Sequence, residues 1–419
     1  MPSATTKYDA ANVALGDLVL HLRASLKALT APQTSTQLAS GLHDTEKLPD
    51  RFLTQQASEA VDLLSELEKL LQPAHLVLAD HFLGYTDTKC LLAAVELNLP
   101  DILAKKSLNV QDLADESGAR ADRLVQILRP LRNNGIFDFD AASEQYSNTH
   151  VAELLRSDHW TQWRNWVDLY GDVFYDIARG IPESVRKDAT RSAAQINFDT
   201  DLNMFEYFNA SGWVPRLHRT LGGGAVAMGP GILADYPWEE VADKTVLDIG
   251  GGSGGFISML LRKHSSMRGS IYDLPHVISH ASDLFSKGGA CEDLIDRVPQ
   301  ANLIGGDFFT WVPPSEVYTM KWCLHDWNDE ECETILRNIK DALVPGKESR
   351  LIVLESILSD GKVGRLSRYG DINMAMTAKG QERTEETWRR LIGNAGWRLE
   401  KIHPMRNSWV QALDLRPVA

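Results

Sequence analysis

The stretch VLDIGGGSGG, at residues 246–255, runs directly into FISMLLRKH at residues 256–264. The short apolar run predicts a buried strand, and the periodic segment after it predicts a helix. The glycines between them permit a tight turn and a close approach of the backbone to a bound molecule. Because the start of a helix presents free N–H groups, this stretch predicts a strand, loop and helix that bind a ligand.

The glycine loop alone leaves the ligand open. Gly250, Gly252 and Gly255 satisfy G-x-G-x-x-G, the dinucleotide fingerprint. Asp248, Gly250, Gly252 and Gly254 satisfy the acidic-x-G-x-G-x-G loop that is typical of class I S-adenosylmethionine (SAM) methyltransferases. A purely structural turn also fits. A nicotinamide-dependent dehydrogenase, a methyltransferase and a structural loop are all compatible with this motif.

The chain from Lys244 onward alternates apolar segments with helical ones. The predicted strands are TVLDIG, GSIYDL, ANLIGGDFF, EVYTMKWCL and RLIVLES, followed by RLEKIHPM and SWVQALDL after a helix that ends at Gly396. Such alternation predicts an α/β fold, a Rossmann-like doubly wound sheet that closes on a terminal hairpin. The boundary with the helical part before it falls near Pro237.

Side chains that follow three of these strands favour SAM. Asp273 ends the second strand, where a carboxylate accepts hydrogen bonds from ribose hydroxyls of either cofactor. Asp307 and Phe308 follow the third strand and suit an adenine, through its exocyclic amine and its ring face. His325 follows the fourth strand, at the edge where open α/β sheets bind ligands. A hydride-transfer enzyme does not need this set.

The N-terminal part reads as helical. Leu18, Leu22 and Leu26 recur at helical spacing, and a second periodic segment runs from Ala60 to Leu71 before a break at Pro73. The polar stretch 30–45 lacks a period and predicts a loop or a poorly ordered linker.

Residues 87–139 predict a helix, a turn at Gly118, a second helix and a turn at Asn134-Gly135, followed by the short extended pair IFDFD and QYSNTH. This is a winged-helix pattern, which serves either DNA binding or packing and dimerisation. The formal charge of −14 argues against a nucleic-acid partner and favours dimerisation.

Aromatic residues are concentrated between His159 and Trp213. Most of them are expected in the core, but such a cluster can also wall a pocket for an aromatic substrate. The residues predicted to contact substrate from this cluster are Trp166, Tyr170, Phe174 and Phe208.

Length and composition set the remaining bounds. A chain of 419 residues suggests several domains, which we place at 1–80 (helices and linker), 81–158 (winged-helix dimerisation domain), 159–237 (substrate-pocket segment) and 238–419 (catalytic domain). There is no apolar run long enough for a membrane span and no secretory signal pattern at the start. The four cysteines form no CxxC pair, so we expect reduced thiols in a cytoplasmic protein.

The ordered motifs VLDIGGGSGG, YDLP, GDFF, KWCLHDWND, LIVLES and GQERTEETW resemble the plant and fungal class I O-methyltransferases of the caffeate/flavonoid type. The resemblance covers roughly Asp87 to Val418. It implies SAM as cofactor, His325 as general base, and Glu355 and Glu382 as the acids that flank this histidine.

The same resemblance implies further roles. The implied cofactor-binding residues are Asp248, Gly250, Gly252, Asp273, Asp307, Phe308, Lys321 and Trp327. It also implies a homodimer whose N-terminal helices intertwine, with a winged helix that does not bind DNA.

The chemistry agrees with this assignment. A phenol has a pKa near ~10 and is mostly protonated at neutral pH, so methyl transfer to its oxygen needs a base. Histidine, with an ordinary pKa near ~6.5, can serve, and a nearby carboxylate can orient it. No metal-ligand spacing such as HExxH or paired CxxC is present, so we expect no metal.

One segment departs from the plant pattern. DINMAMTAKGQERT lacks the Asn-Pro-Gly-Gly stretch that precedes the ERT acid in plant members, although Met374 remains to pack on a flat ring. We therefore expect a fungal-type enzyme of secondary metabolism that methylates a phenolic hydroxyl of an aromatic polyketide-type compound. Two alternatives are a methyltransferase-fold enzyme that uses SAM as a non-reacting cofactor for dehydration or pericyclic chemistry, and a DNA-binding regulator that senses SAM.

Overall fold

The computed structural model of the chain describes residues 8–378 and 380–418. The chain divides into two compact units, with the division between Glu59 and Ala60.

The first unit is helical. It contains α1 (Asp9–Leu29), α2 (Pro32–Leu42) and the start of α3 (Arg51–Leu71). The prediction of a loop over residues 30–45 is wrong, because α2 occupies most of that stretch. Ala31 is extended and Pro32 stands in the first turn, where its missing N–H would have no helical partner and its fixed φ suits a helix. The large apolar residues of α2 are Leu38 and Leu42 alone, which are too few to show a helical period, so the sequence pattern missed this helix.

The second unit begins within α3, and the predicted break at Pro73 is confirmed. The elements that follow are α4 (Ala74–Leu83), α5 (Tyr85–Glu96), α6 (Leu99–Leu103), α7 (Val110–Ser117), α8 (Ala121–Asn133), β1 (Phe137–Asp140), β2 (Gln145–Asn148) and α9 (His150–Glu153). Gly118 ends α7 with φ 71° and Gly135 follows α8 with φ 75°, so both predicted turns are present. β1 and β2 pair antiparallel, and Leu113, Leu124 and Leu128 lie in the core beneath them.

A second helical region leads to the sheet. It comprises α10 (Arg164–Gly171), α11 (Val173–Ile177), α12 (Ile181–Ser184), α13 (Ala193–Asn197), α14 (Met204–Ala210) and α15 (Val214–Asp235). Arg216 of α15 donates to Asp168 and Asp172 at 2.6–2.7 Å, which fastens the long helix to α10 and the turn after it. These helices carry the aromatic cluster.

The remainder alternates strands and helices as predicted. The strands are β3 (Thr245–Ile249), β4 (Arg268–Asp273), β5 (Leu303–Gly305), β6 (Val317–Lys321), β7 (Arg350–Glu355), β8 (Ile357–Leu358), β9 (Arg383–Thr384), β10 (Trp397–His403) and β11 (Gln411–Pro417). The helices are α16 (Gly255–Lys263), α17 (Pro275–Leu284), α18 (Asp329–Ala342), α19 (Arg365–Thr377) and α20 (Glu385–Asn394).

The main sheet has the strand order β10-β11-β7-β6-β3-β4-β5. The strands from β5 across to β7 are parallel, whereas β11 and β10 form the predicted antiparallel hairpin at one edge. Strand order reverses between β3 and β6, and ligands of open α/β sheets bind at the carboxyl ends of the strands beside such a point. The ends of β3 and β6 are the glycine loop and the segment that carries His325.

Apolar layers cover both faces of this sheet, one around Trp238, Ile257 and Leu260 and the other around Ile335, Trp388 and Trp397. The strands are therefore buried on both sides, as parallel strands usually are. Within residues 8–378 and 380–418, no helix combines the length and apolar character that a membrane crossing requires.

Candidate active site

The glycine loop connects β3 to α16 in left-handed backbone conformations. Gly250, Gly252 and Gly254 have φ of 65°, 57° and 85°. A Cβ atom on Gly254 would lie 2.6 Å from carbon atoms of both Ile271 and Phe285. Glycine is required at this position by both the backbone conformation and the lack of space.

Asp273, at the end of β4, joins the loop. Its Oδ2 accepts a hydrogen bond from the Gly252 N–H at 2.8 Å and its Oδ1 accepts from the Leu274 N–H at 2.7 Å. A Cβ atom on Gly252 or Gly255 would meet nothing within 4 Å, so the loop faces open space. An oriented carboxylate beside an open glycine loop fits a ribose-bearing ligand such as SAM.

The turn after β5 lies next to Asp273, since the Gly306 N–H donates to the Asp273 carbonyl at 2.9 Å. Oδ1 of Asp307 accepts from the Phe309 N–H at 2.9 Å. The Phe308 ring lies edge-on to the Trp327 ring, with centroids 5.9 Å apart. The structure thus brings these predicted adenine-binding residues to the same edge as the glycine loop.

Asp248 and Lys321 lie beneath the loop. Asp248 is buried and accepts a hydrogen bond from Thr319 at 2.8 Å. Burial raises the pKa of Asp248 to about 7, although Thr319 and Lys321 oppose the rise. Burial lowers the pKa of Lys321, whereas Asp248 and Glu355 favour its charged form. The contacts of Asp248 are internal, so it supports the loop from below.

His325 lies in a short turn directly after β6, where the backbone is strained. Trp322 has φ 49°, a left-handed conformation that is costly for a bulky residue. Oε1 of Glu355 accepts from the N–H groups of Cys323 and Leu324 at 2.9 and 2.8 Å. The Glu355 carboxylate therefore holds the backbone of the turn that presents His325.

The imidazole of His325 is enclosed by carboxylates. Its Nδ1 lies 3.0 Å from Oε1 of Glu382 and 3.6 Å from Oε2 of Glu355, and its Nε2 lies 3.7 Å from Oδ1 of Asp326. His325, Glu355 and Glu382 are all at least nine-tenths buried. The structure thus assembles the three residues predicted as catalytic.

Electrostatics in this cluster favour the charged imidazole. Burial lowers the pKa of His325, but Glu355, the hydrogen bond to Glu382 and Asp326 together raise it to about 9. Burial raises the pKa of Glu355 and, to about 6, that of Asp326, while His325 opposes both rises. One ligand atom from each of His325, Glu355 and Glu382 also falls within 4.8 Å of the others, a spacing that can hold a metal ion.

The aromatic cluster forms a continuous wall. The Trp166 and Tyr170 rings stack at 5.4 Å, and the Tyr170 and Phe174 rings stack at 4.6 Å. Trp166 also meets the edge of Trp322, which lies three positions before His325, at 6.5 Å. This contact connects the predicted substrate wall to the turn that carries His325.

Phe208 and Met374 differ in position from the stacked rings. Phe208 is fully buried in a core cluster with Phe174, Leu217 and Met376. Met374 lies partly buried on α19. Gly370 of the same helix approaches Glu382 so closely that a Cβ atom there would lie 3.1 Å from its Oε1. Residues 370 and 374 are one helical turn apart, so Met374 shares the helix face that borders Glu382.

Several residues at the site were not predicted. Trp409 packs against Trp166 at 4.7 Å, and Asn373 donates to the Tyr170 hydroxyl at 3.4 Å. Asp371 accepts from the Glu382 N–H at 2.9 Å, and Arg383 contacts the carbonyls around His325. The QERT motif contained a signal for Arg383, whereas nothing local distinguished Trp409.

Comparison with known proteins agrees with this geometry. The O-methyltransferase domain family matches residues 228–398 and the O-methyltransferase dimerisation domain family matches residues 79–158. O-methyltransferase aclM of Aspergillus oryzae is 58% identical over 412 residues, 95% of each chain. O-methyltransferase verK of Clonostachys rogersoniana is 46% identical over 406 residues, 96% of this chain and 99% of that one.

A solved structure extends the likeness to the cofactor. The crystal structure of the O-methyltransferase NcsB1 from neocarzinostatin biosynthesis, in complex with SAM and 2-hydroxy-5-methyl naphthoic acid, is 26% identical with a TM-score of 0.58. It covers 79% of this chain and 96% of its own. The cofactor is SAM rather than a nicotinamide dinucleotide, and non-methylating chemistry is not favoured because the similar fungal enzymes are named O-methyltransferases. The chain belongs to the O-methyltransferase family and is a SAM-dependent O-methyltransferase.

Proposed function

We propose that this enzyme methylates a phenolic hydroxyl of an aromatic secondary metabolite, with His325 as the general base. One observation carries the proposal: a buried imidazole, bonded through Nδ1 to Glu382, lies directly after the strand beside the glycine loop. When bound, SAM supplies an electrophilic methyl group on a sulfonium sulfur. The protein must then hold an oxygen in line with that methyl group and remove its proton.

We assign Nε2 of His325 as the atom that accepts the phenolic proton. In the neutral ring, the protonated Nδ1 donates to Oε1 of Glu382, which leaves Nε2 to accept the phenolic proton. Glu355 holds the turn and stabilises the imidazolium that forms. The His325 pKa of about 9 is close to the ~10 of a phenol, so proton transfer between the two is nearly balanced.

The stacked aromatic rings support a flat acceptor. Trp166, Tyr170 and Phe174 offer apolar surface, and Met374 on α19 can pack on a ring. Oδ1 of Asn373 is buried and no described residue donates to it, which suits a polar group on the acceptor. NcsB1 was crystallised with a hydroxynaphthoic acid, which supports the same shape of molecule for this chain. A polyketide-type origin of the substrate stays a prediction.

The cofactor roles follow from position. Asp273 would hold the ribose hydroxyls and Gly250 and Gly252 would line the methionine and ribose, because the loop and this carboxylate share one open space. Asp307 and Phe308 would take the adenine, with Trp327 at its border. Asp248 and Lys321 would act from below, on the loop.

The chain organisation is also proposed. The match to the dimerisation domain supports a homodimer. We assign contacts between the two subunits to the N-terminal helices as well. Large apolar side chains are exposed there, among them Leu20, Leu26, Phe52 and Leu70. We assign the segment 81–158 to dimerisation, 159–237 to the substrate wall and 238–419 to catalysis, in a cytoplasmic enzyme without a nucleic-acid partner.

The direct test is a panel of hydroxylated aromatic compounds incubated with enzyme and SAM. We expect a mass gain of one methyl group on a phenolic acceptor, with one S-adenosylhomocysteine formed per product. A product that appears without S-adenosylhomocysteine would support the non-methylating alternative. Methyl transfer to amines or thiols alone would overturn the phenolic assignment.

A further inference from the structure

Arg383 follows Glu382 directly, and its side chain is almost completely buried, with 1% of its surface exposed. Fully buried arginines are rare because removing a guanidinium from water is costly unless its donors are bonded. The contacts of this side chain therefore indicate what its burial achieves.

The guanidinium forms hydrogen bonds with backbone carbonyls on both sides of His325. Nη1 donates to the Leu324 carbonyl at 3.2 Å and Nη2 donates to the Trp327 carbonyl at 2.6 Å. Nε donates to Oδ1 of Asp329, the first residue of α18, at 2.9 Å. One planar group thus ties together the residues before and after His325 and the helix that follows.

The opposite side of the turn is held by Glu355, whose Oε1 accepts from the Cys323 and Leu324 N–H groups. The His325 carbonyl accepts from the Gln381 N–H at 2.8 Å. The amides of Cys323 and Leu324 are therefore hydrogen-bonded to one buried carboxylate, and the carbonyls of Leu324 and Trp327 to one buried guanidinium.

Glu382 and Arg383 act on the same turn from adjacent positions. Neighbouring side chains of an extended segment point in opposite directions. Here Glu382 reaches the imidazole and Arg383 reaches the backbone that bears it. A shift of this segment would move both contacts together.

We infer that Arg383 is a positioning residue for methyl transfer, which holds residues 324–327 so that His325 stays in register with Glu382 and Glu355. The inference rests on the proposed role of His325 as base. Because a misplacement of about 1 Å at a reacting group can cost about 100-fold in rate, a guanidinium on two carbonyls is well suited to this task.

The test compares Arg383→Lys with Arg390→Ala. Lysine keeps the charge, but its single ammonium cannot reproduce the fork that spans two carbonyls. Arg390 is the matched control, because its Nη2 lies 2.8 Å from Oδ2 of the same Asp329. The Arg390 side chain is exposed and lies on α20. Both variants lose an arginine partner of Asp329. Arg383→Lys also loses the paired hydrogen bonds to the Leu324 and Trp327 carbonyls.

For Arg383→Lys we expect kcat to fall about 100-fold while the KM for SAM stays within about twofold. The pH profile of kcat/KM should also change. The charged groups that face the imidazole are Glu355 from β7, Glu382 before β9 and Asp326 in its own turn. Displacement of the His325 ring from the two glutamates should move the ascending limb of the pH profile to lower pH. Arg390→Ala should keep the wild-type rate and pH profile.

An Arg383→Lys enzyme with wild-type kcat and an unshifted ascending limb of the pH profile would overturn the inference. An equal loss of kcat in Arg390→Ala would also overturn it. If Arg383→Lys does not fold, Asp329→Asn replaces it, and we expect a loss of about tenfold with the limb moved in the same direction. An unchanged Asp329→Asn would then overturn the inference. A His325→Gln enzyme that keeps its rate would instead refute the base assignment itself.

Discussion

Nδ1 of His325 lies 3.0 Å from Oε1 of Glu382, although the two residues are 57 positions apart in the chain. The contact joins the end of a central sheet strand to the segment between α19 and α20. The contact orients the ring and, together with the larger effect of the Glu355 carboxylate, raises the pKa of His325.

Replacing His325 by glutamine should abolish turnover and leave SAM binding intact. The amide keeps a polar side chain in the turn but cannot accept and carry a proton, so we expect kcat to fall about 10²- to 10⁴-fold. Calorimetry should give a SAM dissociation constant within about twofold of wild type. A variant that methylates at near the wild-type rate would show that the base lies elsewhere.

The acceptor kcat/KM should rise with pH up to about 9. The base works when neutral, and His325 loses its proton as pH rises through its pKa of about 9. Since the Glu382 carboxylate favours the protonated ring, Glu382→Gln should move the ascending limb to lower pH, by about one to three pH units, and should lower the maximal rate.

The control for the pH experiment is Glu385→Gln. Glu385 lies in the first turn of α20 and pairs with Arg389 on an exposed surface. Its profile should match wild type. A limb that stays in place in Glu382→Gln would mean that this carboxylate does not set the charge of the ring.

Asp273→Ala should weaken SAM binding and spare the chemical step. The substitution removes the acceptor of the Gly252 N–H and the proposed ribose contact, so we expect the dissociation constant to rise about 10- to 100-fold. At saturating SAM, kcat should stay near wild type. The exposed Asp293, which pairs with Arg262 on α16, provides the control as Asp293→Ala. Unchanged SAM affinity in Asp273→Ala would exclude the ribose role.

Gly254→Ala should destabilise the protein more than Gly288→Ala. Both glycines have φ near 84°, at 85° and 83°, so both substitutions incur the left-handed penalty of about 1–2 kcal/mol. A Cβ on Gly288 meets nothing within 4 Å, whereas one on Gly254 collides with Ile271 and Phe285. The collision should add about 1–3 kcal/mol, measured as the free energy of unfolding in urea. Equal losses in the two variants would show that the loop relaxes freely.

Removal of divalent ions should leave methyl transfer unchanged. His325, Glu355 and Glu382 could together hold a cation. However, Nδ1 of His325 is already hydrogen-bonded to Glu382, and the protonated ring neutralises the negative charge of the carboxylates. Enzyme dialysed against a chelator should keep its kcat, with metal content checked by elemental analysis. A loss that Mg²⁺ or Zn²⁺ restores would replace the proposed base with a metal-assisted mechanism.

Local pattern predicted much of this protein. The strand-and-glycine run at residues 246–255 and the placement of Asp273 and His325 after strands were readable because strand and helix periods are short-range. Glu355 and Glu382 were reached through the family motifs, since an acid after a strand or before a helix has no distinctive period. The helix Pro32–Leu42 was missed because Leu38 and Leu42 are its only large apolar residues, which is too few for an apolar repeat.

The fold class and the glycine loop could be read from the sequence alone, which also predicted His325 as the base. The contacts between distant groups became visible in the three-dimensional structure: Glu382 on the imidazole, Arg383 on the backbone of its turn, and Trp409 against Trp166. The structure also distinguished the stacked Tyr170 from the core residue Phe208. The physical reason is that these contacts depend on strand order and helix packing, which bring together segments whose spacing along the chain carries no information about their distance.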